Sequence, residues 1–269
     1  MTQPEGHMSA HGLGSVAGES SAPTATELLW NGLPHSERGR QRGLSLAQIV
    51  DAAIDVADTS GIEALSMRSI AQHLGVGAMT LYRYVPNKAA LLDLVLDRLQ
   101  APGPLWHGEI PGEGPRWRRA LVLWAREGRG TYLSHPWLVQ VNWSRPAFGP
   151  NTLASLEVLL SHLDGLEVSD RELINLVSSV DALVTGSVRA QIMYQQASQE
   201  TAVSDEDYWA AQVPVLEKAM DTGDYPRLRS MSEDSFDGNW DEVFELGLTA
   251  LLDGIAARFE PRSRPVAQE

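Results

Sequence analysis

The run LGVGAMTLYRYVPNK, residues 74–88, packs a glycine turn, an aromatic stretch and a Pro-Asn-Lys corner into fifteen positions. Few chain geometries accept that combination. Gly75 allows the backbone to turn at positive φ, Pro86 ends whatever helix precedes it, and Asn87 can cap the next one. The flanks carry helical periodicity. Ser45 with Gln48 forms a capping-box pattern, Leu46, Ile49, Val50, Ala53 and Val56 recur on one face, and Gly61 supplies a stop. Ser66 can cap a second helix whose inward set is Met67, Ile70, Ala71 and Leu74. A third is predicted over about 77–84 with Val76, Leu81 and Val85 facing in, and KAALLDLVLDRL after Asn87 makes a fourth. Two short helices joined by a tight glycine turn are a helix-turn-helix, whose second helix is dimensioned for a major groove.

On that third helix the pattern leaves Ala78, Met79, Thr80, Arg83 and Tyr84 outward. Small and apolar side chains there can meet thymine methyls, while the hydroxyls of Thr80, Tyr82 and Tyr84 suit phosphates or base edges; Lys88 suits a phosphate. A net charge of −14 opposes nucleic acid as a total, but its distribution does not: residues 35–100 hold seven acids and seven bases, and the acidity lies outside them. Binding responds to local field rather than to the chain total. Just before the first helix, Arg38, Arg40 and Arg42 form a basic arm (38–43). Such an arm can lie in the minor groove or remain a solvated flank, and the sequence leaves both open.

Residues 1–37 are rich in Gly, Ser, Ala and Pro without apolar period and are expected to be disordered, as is the tail 261–269. APGPLWHGEIPGEG, 101–114, reads as an irregular connector. Helices are predicted near 115–133, 136–142, 149–163, 169–198, 205–222 and 239–260, so the fold class is all-α. The apolar stretch 173–193 carries Asp181 and Arg189, which argues for a buried helix and against a membrane span. The absence of cysteine excludes disulfides and thiolate metal sites, and the opening residues do not read as a secretory signal, so a cytoplasmic location is expected. No GxSxG, HExxH, Walker or dinucleotide glycine pattern points to an enzyme.

Residues 44–99 closely resemble the DNA-binding domain of the tetracycline-repressor (TetR) family. The likeness rests on AA at 52–53, Gly61, R-IA-LGV within 68–76, TLYRYV at 80–85 and NK-ALL within 87–92. It implies an N-terminal helix-turn-helix domain over 38–100, joined by the fourth helix to a helical-bundle ligand-binding and dimerisation domain over 101–260, which RWRRALVLWAREGRGTYLSHP and VSSVDALVTGSVRAQIMYQQ resemble more loosely. By this resemblance the DNA contacts fall on Met67, Arg68, Ala78, Met79, Thr80, Tyr82, Tyr84 and Lys88. Gly77 and Ala78 are smaller than the family's usual polar residues, which shifts hydrogen-bonded readout toward Arg68, Thr80 and Tyr84.

The resemblance also implies a small-molecule effector and a homodimer bound to a palindromic double-stranded operator. Trp117, Leu121 and Trp124 share one helix face at i, i+4 and i+7; Trp137, Asn142, Trp143 and Met193 fall in segments that line the family's pocket, and Trp106 and His107 sit where the connector meets it. That set favours a sizeable aromatic ligand, antibiotic-like by the family's habit, with an exporter gene as the target. The last helix places Phe244, Leu248, Leu251 and Ile255 at near-heptad spacing. With Val180 and Val184 of the long apolar helix, these are the expected dimer contacts, a simple core helix being the alternative. No cofactor and no metal is expected, since Thr131 stands where the family's chelate-binding histidine would be and His135 is unmatched. An activator, or a ligand-independent DNA-binding scaffold of the same fold, remains open.

Overall fold

The computed structural model describes residues 24–32, 44–142, 148–201, 203–232, 235 and 239–260. Arg38, Arg40, Arg42 and Trp143 lie outside the described residues. Every regular element among those described is helical, and none is long and apolar enough to cross a membrane.

The head is built from α2 (Leu46–Ser60), α3 (Met67–His73), α4 (Ala78–Leu81) and α5 (Lys88–Leu99). Three of the four starts are fixed by a local side chain. Ser45 and Gln48 close a capping box on α2, Ser66 and Ser69 do the same for α3, and the Asn87 side chain accepts from the Ala90 N–H at 2.8 Å. Two stops are also local: Gly61 and Gly75 take φ of 80° and 67°, left-handed values that a β-carbon penalises. Ile49, Ala53, Ile70, Leu81, Val85, Leu91 and Val95 are fully buried together, so the apolar stripes of the four helices meet in one core. Helix α4 is one turn long, shorter than the predicted 77–84. Its continuation winds on as turns, with the Tyr84 N–H bonded to the Leu81 carbonyl at 2.8 Å.

The expectation of disorder over 1–37 is corrected at one place. Ala25–Asn31 form α1, closed by a capping box between Thr24 and Glu27, with Leu28 buried against the head. Seven residues give too little periodicity to register in a Gly- and Ser-rich context, and a helix this short holds only because packing on α5 offsets its nucleation cost.

The body is α6 (Arg116–Ser134), α7 (Pro150–Leu160), α8 (Asp170–Thr201), α9 (Asp205–Asp221), α10 (Pro226–Arg229) and α11 (Trp240–Phe259). The connector is less irregular than predicted: Pro104–His107 make a 3-10 turn that buries Trp106, and Pro136–Gln140 make another where an α-helix was expected. Trp117, Leu121, Val177, Val180, Phe244, Leu248, Leu252 and Ile255 form the core between α6, α8 and α11. A β-carbon on Gly247 would stand 3.1 Å from Leu183 Cδ1, a tight contact that the Leu183 side chain would have to ease.

Head and body are joined by polar contacts that charge balance alone would not place. Asp97, only 3% exposed on α5, accepts from the Thr152 N–H and hydroxyl, each at 2.9 Å, and from Asn151 Nδ2 at 3.0 Å. It caps α7 from another helix, where a negative charge meets the positive end of the helix dipole. Alongside, the Ser155 hydroxyl donates to the Gln100 carbonyl, and the Trp30 Nε1–H donates to the Phe148 carbonyl at 3.1 Å.

Candidate DNA-reading face and effector cavity

The turn at Gly75 and the extended Gly77 present α4 and its following turn edge-on to solvent. Met79 is 77% exposed, and Tyr82, Arg83, Arg68 and Lys88 are exposed around it. Thr80 is half-buried. Ala78 and Tyr84 are too, and both pack against the head core. Lys88 Nζ donates to the Ile62 carbonyl at 3.2 Å, which ties the start of α5 to the loop after α2. Met67 is corrected: it is 6% exposed and lies in the core, because the first residue of α3 turns its side chain inward while Arg68 turns outward. The resemblance transferred the position without its direction.

Behind the head lies a cavity of about 330 Å³. Its floor is the end of α5 and the start of the connector, Leu99, Gln100, Ala101 and Pro102. Its walls are Trp106, one face of α6 (Trp124, Glu127, Gly128, Thr131, Tyr132), one face of α8 (Asp181, Val184, Thr185), and Leu138 and Ser155. Gly128 of α6 faces Val184 of α8, whose Cγ1 lies 3.6 Å from where a β-carbon would stand, an ordinary contact distance.

Polar geometry in this cavity is paired. Trp106 Nε1 donates to Glu127 Oε2 and Trp124 Nε1 donates to Asp181 Oδ1, both at 2.6 Å, while the two indoles meet edge to face with centroids 6.3 Å apart. The Thr185 hydroxyl donates to the Tyr132 hydroxyl at 3.4 Å. Burial raises the Asp181 carboxyl above the usual carboxylate range against the opposing Trp124 hydrogen bond, and burial likewise raises the Tyr132 phenol.

Of the expected ligand residues, Trp106 and Trp124 line this cavity and the others described do not. Trp117 and Leu121 are fully buried in the body core, Trp117 Nε1 donating to Glu260 Oε1 at 3.0 Å. The i, i+4, i+7 face they share with Trp124 is therefore split, its upper end reaching the cavity and its lower end the core. Trp137 is buried in the head's core. His107, Asn142 and Met193 are exposed outside the cavity. Glu127, Tyr132 and Asp181 line the cavity although the resemblance does not point to them. One signal was available: Asp181 and Arg189 are the two charges in the apolar stretch 173–193, and a charge set among apolar side chains needs a polar partner.

The expected dimer set is corrected in the same way. Val180, Val184, Phe244, Leu248 and Ile255 are buried within the subunit's own core, and Leu251 is half-buried beside them. Heptad spacing identifies a face to be covered but not what covers it. The opposite faces of α8 and α11 carry the apolar exposure, with Ile174, Met193, Val243 and Leu246 at the surface, Leu246 at 73%.

Comparison with known proteins agrees with this architecture. Residues 49–95 match the family described as bacterial regulatory proteins, tetR family, and residues 110–259 match the tetracyclin repressor-like C-terminal domain. The chain is 41% identical over 257 residues to the HTH-type transcriptional repressor DrrR1 of Streptomyces coeruleorubidus, covering 94% of this chain and 93% of that protein. It is 29% identical over 222 residues to the class D tetracycline repressor of Escherichia coli, covering 79% and 89%. Among solved structures, apo ActR of Streptomyces coelicolor superposes with a TM-score of 0.63 at 26% identity, over 81% of this chain and 97% of that one. ActR in complex with actinorhodin gives 0.60 at 26%, over 83% and 100%.

Proposed function

Because the chain belongs to the tetR family of bacterial regulatory proteins, we propose that it is a homodimeric transcriptional repressor that leaves its operator when a small molecule fills the cavity between head and body. The observation that carries this reading is the cavity floor. Leu99 to Pro102 close the cavity and directly continue α5, the helix on which the DNA-reading head is mounted. A ligand that pushes on this floor moves the head with it.

Two heads must stand one turn of duplex apart, about 34–36 Å, to occupy successive major grooves of a palindrome. A ligand that favours another spacing opposes DNA, and a coupling of about 1–3 kcal/mol is typical of such devices. In each head the reading set is Met79, Thr80 and Tyr82 with Arg68, Arg83 and Lys88 on phosphates, while Tyr84 both reads and braces. The arm Arg38, Arg40 and Arg42 adds affinity of the salt-sensitive kind. The dimer forms through the exposed faces of α8 and α11, where Ile174, Val243 and Leu246 await cover. The repressor relatives and the ligand-bound neighbour support the direction of control and the use of the cavity. An antibiotic-like aromatic effector and an exporter gene as target follow the same habit.

The test is selection of a preferred duplex from a random pool, followed by mobility shift. An inverted repeat bound by a dimer is expected, with Tyr82→Phe weakening it and leaving the dimer intact. Equal affinity for random duplex at moderate salt overturns the reading.

A further inference from the structure

The cavity walls have one sign of charge. Glu127 and Asp181 both line it, and no Lys, Arg or His does among the described residues. Neither carboxylate takes part in an ion pair among those residues: Arg118, Arg126 and Arg129 on the same helix as Glu127 pair instead with Asp253, Glu245 and Asp241 of α11. Each carboxylate spends one oxygen on an indole N–H, leaving Glu127 Oε1 and Asp181 Oδ2 without a donor among the described residues. Glu127 is half-buried and Asp181 partly open to solvent, and two acids of one sign on an aromatic recess with no cation of their own leave its negative field uncompensated.

The rings point the same way. Trp106 and Trp124 each donate to a carboxylate, and that donation pushes electron density into the indole and deepens the negative potential over its face, which attracts cations. The order carboxylate, indole, indole, carboxylate, with the rings edge to face at 6.3 Å, gives one continuous negative lining.

Resting on the effector reading above, we propose that the effector is a polycyclic aromatic molecule bearing a protonated amine, its ring plane against Trp106 and Trp124 and its ammonium shared between Glu127 and Asp181. The hydroxyls of Thr131, Tyr132 and Thr185 serve its neutral polar groups, and acidic aromatics are excluded by like charge. Burial holds the Asp181 carboxyl above its ordinary range, and an ammonium beside it draws it back down.

Three probes of one shape decide this: pyrenemethylamine, its N-acetyl derivative, which is neutral, and pyreneacetate, which is anionic. Each is titrated calorimetrically into the full-length protein and then tested for release of the operator. The amine is expected to bind at least about tenfold more tightly than the amide, with the acid weakest. In the Glu127→Gln, Asp181→Asn double variant that preference shrinks to about threefold or less, and an unchanged helical spectrum certifies the fold. If the variant does not fold, the wild-type ranking alone decides. Binding of the amide or acid as tightly as the amine overturns the charge assignment; if that probe also releases the operator, the effector reading stands. Failure of all three to bind removes both.

Discussion

Asp58, in the last turn of α2, accepts a 2.7 Å hydrogen bond from the buried indole Nε1 of Trp137, which follows α6 in the chain. The same oxygen lies 2.7 Å from His135 Nδ1. One head carboxylate therefore holds the segment just beyond α6, whose Thr131 and Tyr132 line the cavity, and Leu138 reaches both the cavity and the head core. This is a second route from cavity to head, parallel to α5.

Removing that carboxylate is expected to uncouple the two. Asp58→Ala strands the Trp137 N–H in the core, costing about 1–3 kcal/mol, and weakens the effector's leverage on the head. Denaturant titration reads the first effect. Mobility shift across an effector series reads the second, and an unchanged effector midpoint in the variant removes Asp58 from the coupling.

Asp181 gives a pH signature. Its folded-state pKa lies above the unfolded value because of burial, so protonation favours the fold. The stability it contributes is complete below the ordinary carboxylate value and is lost as pH rises through the raised one. At neutral pH the ionised group is a cost. Asp181→Asn keeps an oxygen for the Trp124 N–H, so the variant is expected to melt higher than wild type at neutral pH, with a flatter pH dependence. Scanning calorimetry of the ligand-free protein checks this, and a lower melting point at neutral pH contradicts it.

Gly149 is required by Asp97. A β-carbon there would fall onto the Asp97 carboxylate, which cannot retreat without releasing Asn151 and Thr152 at the start of α7. Gly149→Ala is expected to cost about 1–3 kcal/mol. A urea midpoint equal to that of wild type shows that α7 can shift freely.

Leu246, the most exposed leucine on α11, tests the subunit contact. Leu246→Glu places a charge at the proposed interface while touching nothing in the subunit core. Sedimentation is expected to show loss of the dimer, with weaker operator binding and an unchanged helical spectrum. A dimer that persists moves the interface elsewhere.

The head was legible in the sequence because its information is local. Ser45, Gly61, Ser66, Gly75 and Asn87 each set a helix end through their own backbone or a neighbour three residues away, and Leu81 and Val85 bury themselves on one stripe whatever lies beyond. The all-helical class of the body was legible for the same reason. What required the tertiary structure was direction and partnership. Met67 and Arg68 are adjacent, yet one enters the core and the other meets solvent. Trp117 and Trp124 share a helix face, yet one fills the core and the other lines the cavity. Phe244 and Leu248 cover their own subunit rather than a second one. Periodicity specifies that a surface must be buried at a given angle around a helix, but the surface that buries it comes from residues up to a hundred or more positions away. The pairing of Trp106 with Glu127 and of Trp124 with Asp181, on which the cavity's charge depends, exists only once α6, α8 and the connector have packed.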